Sequence, residues 1–148
     1  METLPLTEDE LQMWLALMQG MAKVNRQLAW DMQKEHGCHI SWYDVMVRLN
    51  HAPEKQMTMS ELADRVVMSG GGLTRLLDKM VEAGLVERVL DPEDRRLVLA
   101  RLTREGQEHA TELMLAHQQR IKEYVVQHLS EEEVQTVRAA FERILAHT

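Results

Sequence analysis

The chain has 148 residues, the size of one small domain with extensions, and its 45% of apolar residues is enough to build a hydrophobic core. No apolar run approaches the ~20 residues of a membrane span, and no basic segment followed by an apolar one opens the chain, so we expect neither a membrane protein nor a secreted one. The single cysteine, Cys38, excludes an intramolecular disulfide framework and favours a reducing cytoplasm.

The net charge of −7 is unevenly distributed along the chain. Residues 58–104 hold eight basic and eight acidic side chains, so the whole excess of negative charge lies outside them. An acidic protein is an unusual partner for nucleic acid. A neutral middle segment between acidic arms can nevertheless present one basic face.

The N-terminal third predicts two helices. Thr7-Glu8-Asp9-Glu10 is a capping box, and apolar residues recur at helical period over residues 11–32, until Gly37 ends the helix. A second, shorter helix is expected to begin at a cap on Ser41 and to run to about Leu49.

The middle of the chain predicts two short helices in succession. Thr58-Met59-Ser60-Glu61 is a capping box for a helix that runs to about Val67. Ser69 can cap the next helix, which Gly84 terminates. The apolar stripe of that helix consists of Leu73, Leu76, Leu77, Met80 and Val81.

A hairpin follows, and then two more helices. Val86–Leu90 and Leu97–Leu102 are apolar and β-branched runs around the turn-rich segment 91–94. Thr103 begins a long helix that is expected to reach about Gln127. Ser130-Glu131-Glu132-Glu133 is a further capping box, and it begins the last helix.

This order of elements predicts a mostly α fold with a small β-hairpin. Two helices joined by a tight turn and followed by a two-stranded wing form a winged helix-turn-helix module, expected over residues 41–103 of a single domain, 1–148. The long helices of residues 7–36 and 104–146 have apolar stripes that so small a module cannot cover. We therefore expect them to be dimerisation helices of a homodimer.

The helix that begins after Ser69 has the pattern of a DNA recognition helix. Its apolar side faces a core, and its other side carries Arg75, suited to a guanine edge or a phosphate, and Lys79, suited to a phosphate. The alternative is an ordinary solvated amphipathic helix. Gly70-Gly71-Gly72 allows a close approach of backbone N–H groups to phosphates, or simply loosens the first turn.

The hairpin region resembles the MarR family of winged helix-turn-helix regulators. The family pairs an Asp and an Arg two residues apart in the wing with a Leu-Thr that begins the next helix, and this chain has Asp94, Arg96 and Leu102-Thr103 at that spacing. The flanking helices match the family's dimerisation arms, so the resemblance covers essentially the whole chain. It departs at residues 70–72, where the family usually has Ser, Pro or Thr. The upstream segments that also match are 60–63, 73–75 and 84–88.

The resemblance implies a regulator, expected to be a repressor, that binds double-stranded DNA as a homodimer. Arg96 would enter a minor groove, with Asp94 holding it in place, where a narrow A·T-rich groove attracts a guanidinium; the alternative is an exposed ion pair. The full set of expected DNA-binding residues is Ser69, Gly70, Gly71, Gly72, Thr74, Arg75, Lys79, Asp94, Arg95 and Arg96.

The resemblance also implies an effector site where the first, second and fifth helices meet the module. Met18, Met46 and His117 are the expected lining residues, and a small aromatic or phenolic compound is the expected ligand. His117 is otherwise a packed histidine. His36, Cys38 and His39 lie close together and could sense a metal or an oxidant, but no tight ligand pair is present, and an ordinary loop cluster is the alternative. No cofactor and no metal site is expected.

Three classes of function compete. The first is an operator-binding regulator. The second is a winged-helix module used only for protein contacts, in which Arg75, Lys79 and Arg96 are plain surface charges. The third is an enzyme, which ranks far last because the sequence contains no recognisable nucleophile–base pair, phosphate loop or acid pair, and no catalytic residue is expected.

Overall fold

The computed structural model describes residues 5–66 and 70–148. The chain divides into two compact units. One consists of the residues up to Trp30 together with Gln118–Thr148, and the other is Asp31–His117. The second unit is longer at both ends than the module 41–103 expected from the sequence. It takes in the end of the first helix and the first two-thirds of the fifth.

Three long helices contribute to the first unit: α1 (Glu8–His36), α5 (Arg104–Tyr124) and α6 (Glu131–His147). The capping boxes predicted at Thr7 and Ser130 are both present, each with reciprocal hydrogen bonds to the glutamate three residues later. Helix α5 ends three residues before the predicted Gln127, and a 3₁₀ turn follows it.

The apolar side chains of this unit are largely exposed. On α1, Leu11, Trp14 and Met18 are 39–51% exposed, and on α6 Phe141 and Leu145 are 39% and 74% exposed. Isolated apolar side chains are common on protein surfaces, but rows of them along two helices are not. No helix of the described residues is both long and apolar enough to cross a membrane.

The second unit contains the hydrophobic core. Helices α2 (Ile40–His51), α3 (Met59–Arg65) and α4 (Gly70–Glu82) pack with the sheet and with the first half of α5. The core side chains with no exposed surface include Val45, Met46, Leu49, Leu62, Leu77, Met80 and Leu113.

The start of α2 differs from the prediction. The capping residue is His39, whose Nδ1 accepts the backbone N–H of Ser41 at 3.2 Å. Ser41 lies inside the first turn instead, and its hydroxyl is 2.7 Å from the same nitrogen. An imidazole nitrogen can serve as a cap acceptor as a serine hydroxyl does. The sequence pattern for caps favours the serine, which is why the prediction was wrong by two residues.

The sheet has three strands, one more than the predicted hairpin. Strands β2 (Val86–Leu90) and β3 (Val98–Leu102) form the hairpin, and β1 (Gln56–Thr58) pairs antiparallel with β3 on its other edge. The register places the buried Met57 opposite Ala100. The third strand ties the start of α3 to the base of the wing, because the cap residue of α3, Thr58, is also the last residue of β1.

Candidate nucleic-acid interface

Helix α4 has a buried face and an exposed face, as the sequence predicts for a recognition helix. Ser69, its expected cap, lies outside the described residues. Val81 was assigned to the apolar stripe but is 36% exposed. The side chains of the buried face are 0–8% exposed: Leu73, Leu76, Leu77 and Met80. The residues of the exposed face are Gly71, Thr74, Arg75, Asp78, Lys79 and Glu82.

The charged residues on the exposed face of α4 differ in whether they have an ion-pair partner. Asp78 is paired with Arg88 of β2, with Nη2 and Oδ1 2.7 Å apart. Within the described part of the chain, Arg75 and Lys79 take part in no ion pair. The exposed face of α4 therefore carries two cations without an ion-pair partner, Arg75 and Lys79, and one exposed glutamate, Glu82, at its C-terminal end.

The glycines at the start of α4 are helical from Gly70 onward. A Cβ built on Gly71 would have no atom within 4 Å, so packing within the described chain gives no reason for a glycine there. A bare backbone at an exposed helix start lets a phosphate approach the N–H groups closely. That role for residues 70–72 stays a prediction.

The turn of the wing is held by two aspartates. Oδ1 of Asp91 accepts the backbone N–H groups of Glu93 and Asp94, at 2.8 and 3.4 Å. Asp94 in turn accepts three hydrogen bonds from Arg96: from its backbone N–H and its Nε, both at 3.1 Å, and from Nη2 at 3.3 Å. These bonds hold the pKa of the Asp94 carboxyl below its ordinary value.

The expected ion pair of the wing is therefore present, and it orients a guanidinium that faces solvent. The Arg96 side chain is 91% exposed. An exposed pair of this kind contributes little to stability, because solvent screens the attraction between its charges. Its geometry has more to do with presenting the arginine in one direction than with holding the hairpin together.

One side chain links the end of α4 to the start of α5. The hydroxyl of Thr103 donates to the carbonyl oxygen of Gly84 at 2.6 Å and accepts the backbone N–H of Gly106 at 3.0 Å. Gly84 has a φ of 77°, a left-handed conformation that favours glycine. The threonine thus connects the turn that follows α4 to the first turn of α5.

Comparison with known proteins agrees with this geometry. The sequence profile of the MarR family matches residues 36–97. The chain is 25% identical over 139 residues to the HTH-type transcriptional regulator MhqR of Bacillus subtilis, covering 94% of this chain and 93% of that one. It also superposes on AbsC, a MarR family transcriptional regulator from Streptomyces coelicolor, with a TM-score of 0.86 and 27% identity over 98% and 97% of the two chains.

A second MarR family regulator from Streptomyces coelicolor, solved in complex with DNA, gives a TM-score of 0.83 and 26% identity over 98% of this chain and 90% of that one. The chain belongs to the MarR family. It is thereby a winged-helix, DNA-binding transcription regulator, from a family of regulators and not of enzymes.

The three residues of the effector site expected from the MarR resemblance are divided between the two units, with Met46 and His117 in the second and Met18 in the first. Met46 has no exposed surface and packs in the core of the second unit, so a ligand reaches it only by displacing that packing. His117 lies in the same unit, its ring 4.6 Å from that of Tyr43, and its buried Nδ1 has no hydrogen-bond partner among the described residues. Burial lowers the pKa of His117. Met18 belongs to the first unit and is half exposed.

The cluster around Cys38 has a structural explanation in this MarR protein. Cys38 is 4% exposed, and its thiol donates to the carbonyl oxygen of His39. Burial raises the pKa of the thiol, which disfavours the reactive thiolate. His39 caps α2. Among residues 5–66 and 70–148, no three His, Cys, Asp or Glu side chains are grouped to hold a metal.

Sequence reasoning missed the partner of Asp78. Helical periodicity puts this aspartate on the same side of α4 as Arg75 and Lys79, where its charge would oppose a phosphate. Arg88, which neutralises it, is ten residues away and on a strand. No local spacing rule connects a helix position to a strand position, so only the packing of β2 beside α4 reveals the pair.

Proposed function

We propose that this chain is a repressor that binds a pseudo-palindromic operator as a homodimer, with an affinity that a small ligand modulates. The observation that carries the proposal is the exposed face of α4, where Arg75 and Lys79 have no ion-pair partner among the described residues and Asp78, which lies between them, is neutralised by Arg88. A module used only for protein contacts gives no reason for this arrangement in an acidic chain.

Each protomer makes two kinds of DNA contact. Helix α4 enters a major groove, where Arg75 bonds a guanine edge or a phosphate and Lys79 bonds a phosphate. The wing follows the backbone to the next minor groove, where Arg96, oriented by Asp94, is inserted. Two-fold symmetry then sets the two copies of α4 about one helical turn of DNA apart, ~34–36 Å.

A titration at two salt concentrations tests DNA binding directly. Short A·T-rich duplexes are titrated with the protein and followed by fluorescence anisotropy. We expect log K to fall linearly with log[salt], with a slope of about −0.9 for each phosphate contact. Binding that is absent at low salt, or that does not depend on salt, would leave the winged helix as a protein-interaction module.

Replacing Lys79 with alanine is expected to weaken binding to all duplexes alike and to flatten the salt dependence by about 0.9 for each phosphate that the lysine neutralises. The reason is that an ammonium meets a phosphate as a point charge and reads no base. Lys122→Ala is the matched control, since it removes an exposed lysine of α5 outside the module. A loss that varies with sequence, or an unchanged slope, contradicts the phosphate role.

The homodimer is expected to form through the exposed apolar side chains of α1 and α6. Leu145→Glu, at a position that is 74% exposed, should shift the protein towards monomer in sedimentation equilibrium because the charge would be buried in the interface. Leu90→Glu, on the wing and 60% exposed, makes the same change outside the dimer arms and should leave the dimer intact. A stable folded monomer of the wild type at micromolar concentration would refute the dimer.

A further inference from the structure

Two aspartate–arginine pairs lie in the second unit near its exposed cations, and they present opposite ends to solvent. In the wing, the Arg96 side chain is 91% exposed and that of Asp94 is 36% exposed. Between α4 and β2 the order is reversed, because the Asp78 side chain is 60% exposed and that of Arg88 is 33% exposed. The wing pair therefore presents a cation, whereas the second pair presents a carboxylate and keeps its guanidinium partly covered.

The pair of Asp78 and Arg88 lies at the candidate nucleic-acid interface itself. Asp78 is on the exposed face of α4, three residues after Arg75 and next to Lys79. Arg88 meets it from β2, with its Nη2 2.7 Å from Oδ1 of the aspartate. A guanidinium at that distance from the exposed face of α4 needs only a change of rotamer to contact a phosphate beside this helix.

The alternation of side chains along β2 explains why Arg88 lies beside α4. Val86 and Arg88 are two residues apart and so lie on the same face of the sheet. Val86 is buried in the core to which α4 contributes Leu77, so this face is turned towards α4. Glu87 lies on the opposite face, where it pairs with Arg101 of β3 at 2.8 Å.

The exposed carboxylate of Asp78 opposes DNA binding, because its charge repels phosphates. It gives the fold little in return, since aspartate is a weaker helix former than alanine and solvent screens so exposed an ion pair. What the aspartate does is to occupy Arg88. A guanidinium that is paired with a carboxylate has its charge compensated and must break that pair before it binds a phosphate.

We propose that Asp78 limits the affinity of this protein for DNA by holding Arg88 in an ion pair, and that Arg88 is a phosphate-binding residue kept out of use. The inference rests on the proposed role of α4 as the helix that binds DNA. A phosphate contact reads no base, so a released Arg88 tightens binding to every sequence alike. The restraint keeps the regulator from being held on the non-specific sites of a genome, on the order of 10⁶–10⁹ in number.

Asp78→Ala tests the restraint, by fluorescence anisotropy with one A·T-rich and one G·C-rich duplex at several salt concentrations. We expect the variant to bind both duplexes about fivefold more tightly for each protomer at about 0.1 M salt, because each released Arg88 neutralises one more phosphate. The slope of log K against log[salt] should steepen by about 0.9 for each protomer. Losing a merely structural ion pair does not raise affinity, so unchanged or weaker binding overturns the proposal. A gain on one duplex only also overturns it, because Asp78 would then discriminate between bases.

Arg88→Ala shows whether the gain comes from this guanidinium. In the wild type it removes a cation that is already paired and should leave the salt slope unchanged. In the Asp78→Ala background it should return both the affinity and the slope to their wild-type values. A gain that persists without Arg88 comes from the lost negative charge alone and overturns the role of the arginine.

Glu87→Ala is the matched control. It also removes a carboxylate that holds an arginine of the hairpin, but on the sheet face turned away from α4. Its affinity for both duplexes should stay within about twofold of the wild type, because salt screens a charge that lies away from the DNA. An equal gain in this variant would mean that net charge governs the affinity, and the proposal would fail.

The same titrations separate this inference from the function on which it rests. If the wild type itself binds neither duplex, the function proposed above fails and the inference fails with it. If the wild type binds both duplexes and Asp78→Ala binds them no more tightly, only the inference fails.

Discussion

Replacing Arg96 with alanine is expected to weaken operator binding by about 1–3 kcal/mol for each half-site, comparable to the loss of one good specific contact. The Arg96 side chain is 91% exposed, and the residue donates three hydrogen bonds to Asp94. Because the side chain is already oriented, it loses little conformational entropy when it enters a groove. The loss should be larger on duplexes with A·T-rich flanks, because a narrow minor groove has the more negative potential. The measurement is anisotropy on duplexes that differ only in their flanks.

Two further variants distinguish this role from a general loss of positive charge. Asp94→Ala should weaken binding less, because it removes only the group that orients the arginine. Arg138→Ala, on α6 with a side chain that is 73% exposed, removes the same charge far along the chain and should have no effect that depends on the flank. If Arg96→Ala binds every flank as tightly as the wild type, Arg96 is a plain surface charge.

Gly106→Ala is expected to destabilise the second unit by about 3 kcal/mol or more, at the upper end of the usual cost of overpacking. Gly106 lies in the first turn of α5, where its Cα packs directly on the chain at Leu85. A Cβ there would overlap the carbonyl oxygen of Leu85, lie 2.9 Å from its carbonyl carbon and 3.2 Å from Cδ2 of Leu102. The first two atoms are backbone and cannot rotate away.

The shift needed to accommodate that methyl group would also disturb the hydrogen bonds of Thr103 that join α4 to α5. Urea unfolding at fixed protein concentration measures the effect, because the stability of a dimer depends on concentration. Gly20→Ala is the matched control. A Cβ added at Gly20 would have no atom within 4 Å, and alanine is favoured over glycine inside a helix by about 1 kcal/mol, so the stability of this variant should not fall. An unchanged midpoint for Gly106→Ala would contradict the close packing.

Several features of this protein could be predicted from the sequence because they depend on neighbours three or four residues away. The capping boxes at Thr7, Thr58 and Ser130 are of this kind, since each closes hydrogen bonds within one helical turn. The buried face of α4 follows from helical periodicity in the same way. Asp94 and Arg96 are only two residues apart, so the contact between carboxylate and guanidinium that the family resemblance implies is a local one.

Other features depend on contacts between segments that lie far apart in the chain. Strand β1 is three residues with no strand pattern of its own, and it exists because β3, more than forty residues later, offers an edge to pair with. Asp78 finds Arg88 only once β2 lies beside α4, and Gly106 is required only because α5 begins against Leu85. The sequence alone therefore determined the helices and the wing, since local hydrogen bonds and periodicity suffice for them, and its motifs carried the resemblance to the family. Tertiary structure decided which charges on α4 are paired with another element, because charge pairing depends on distances between side chains that only packing sets.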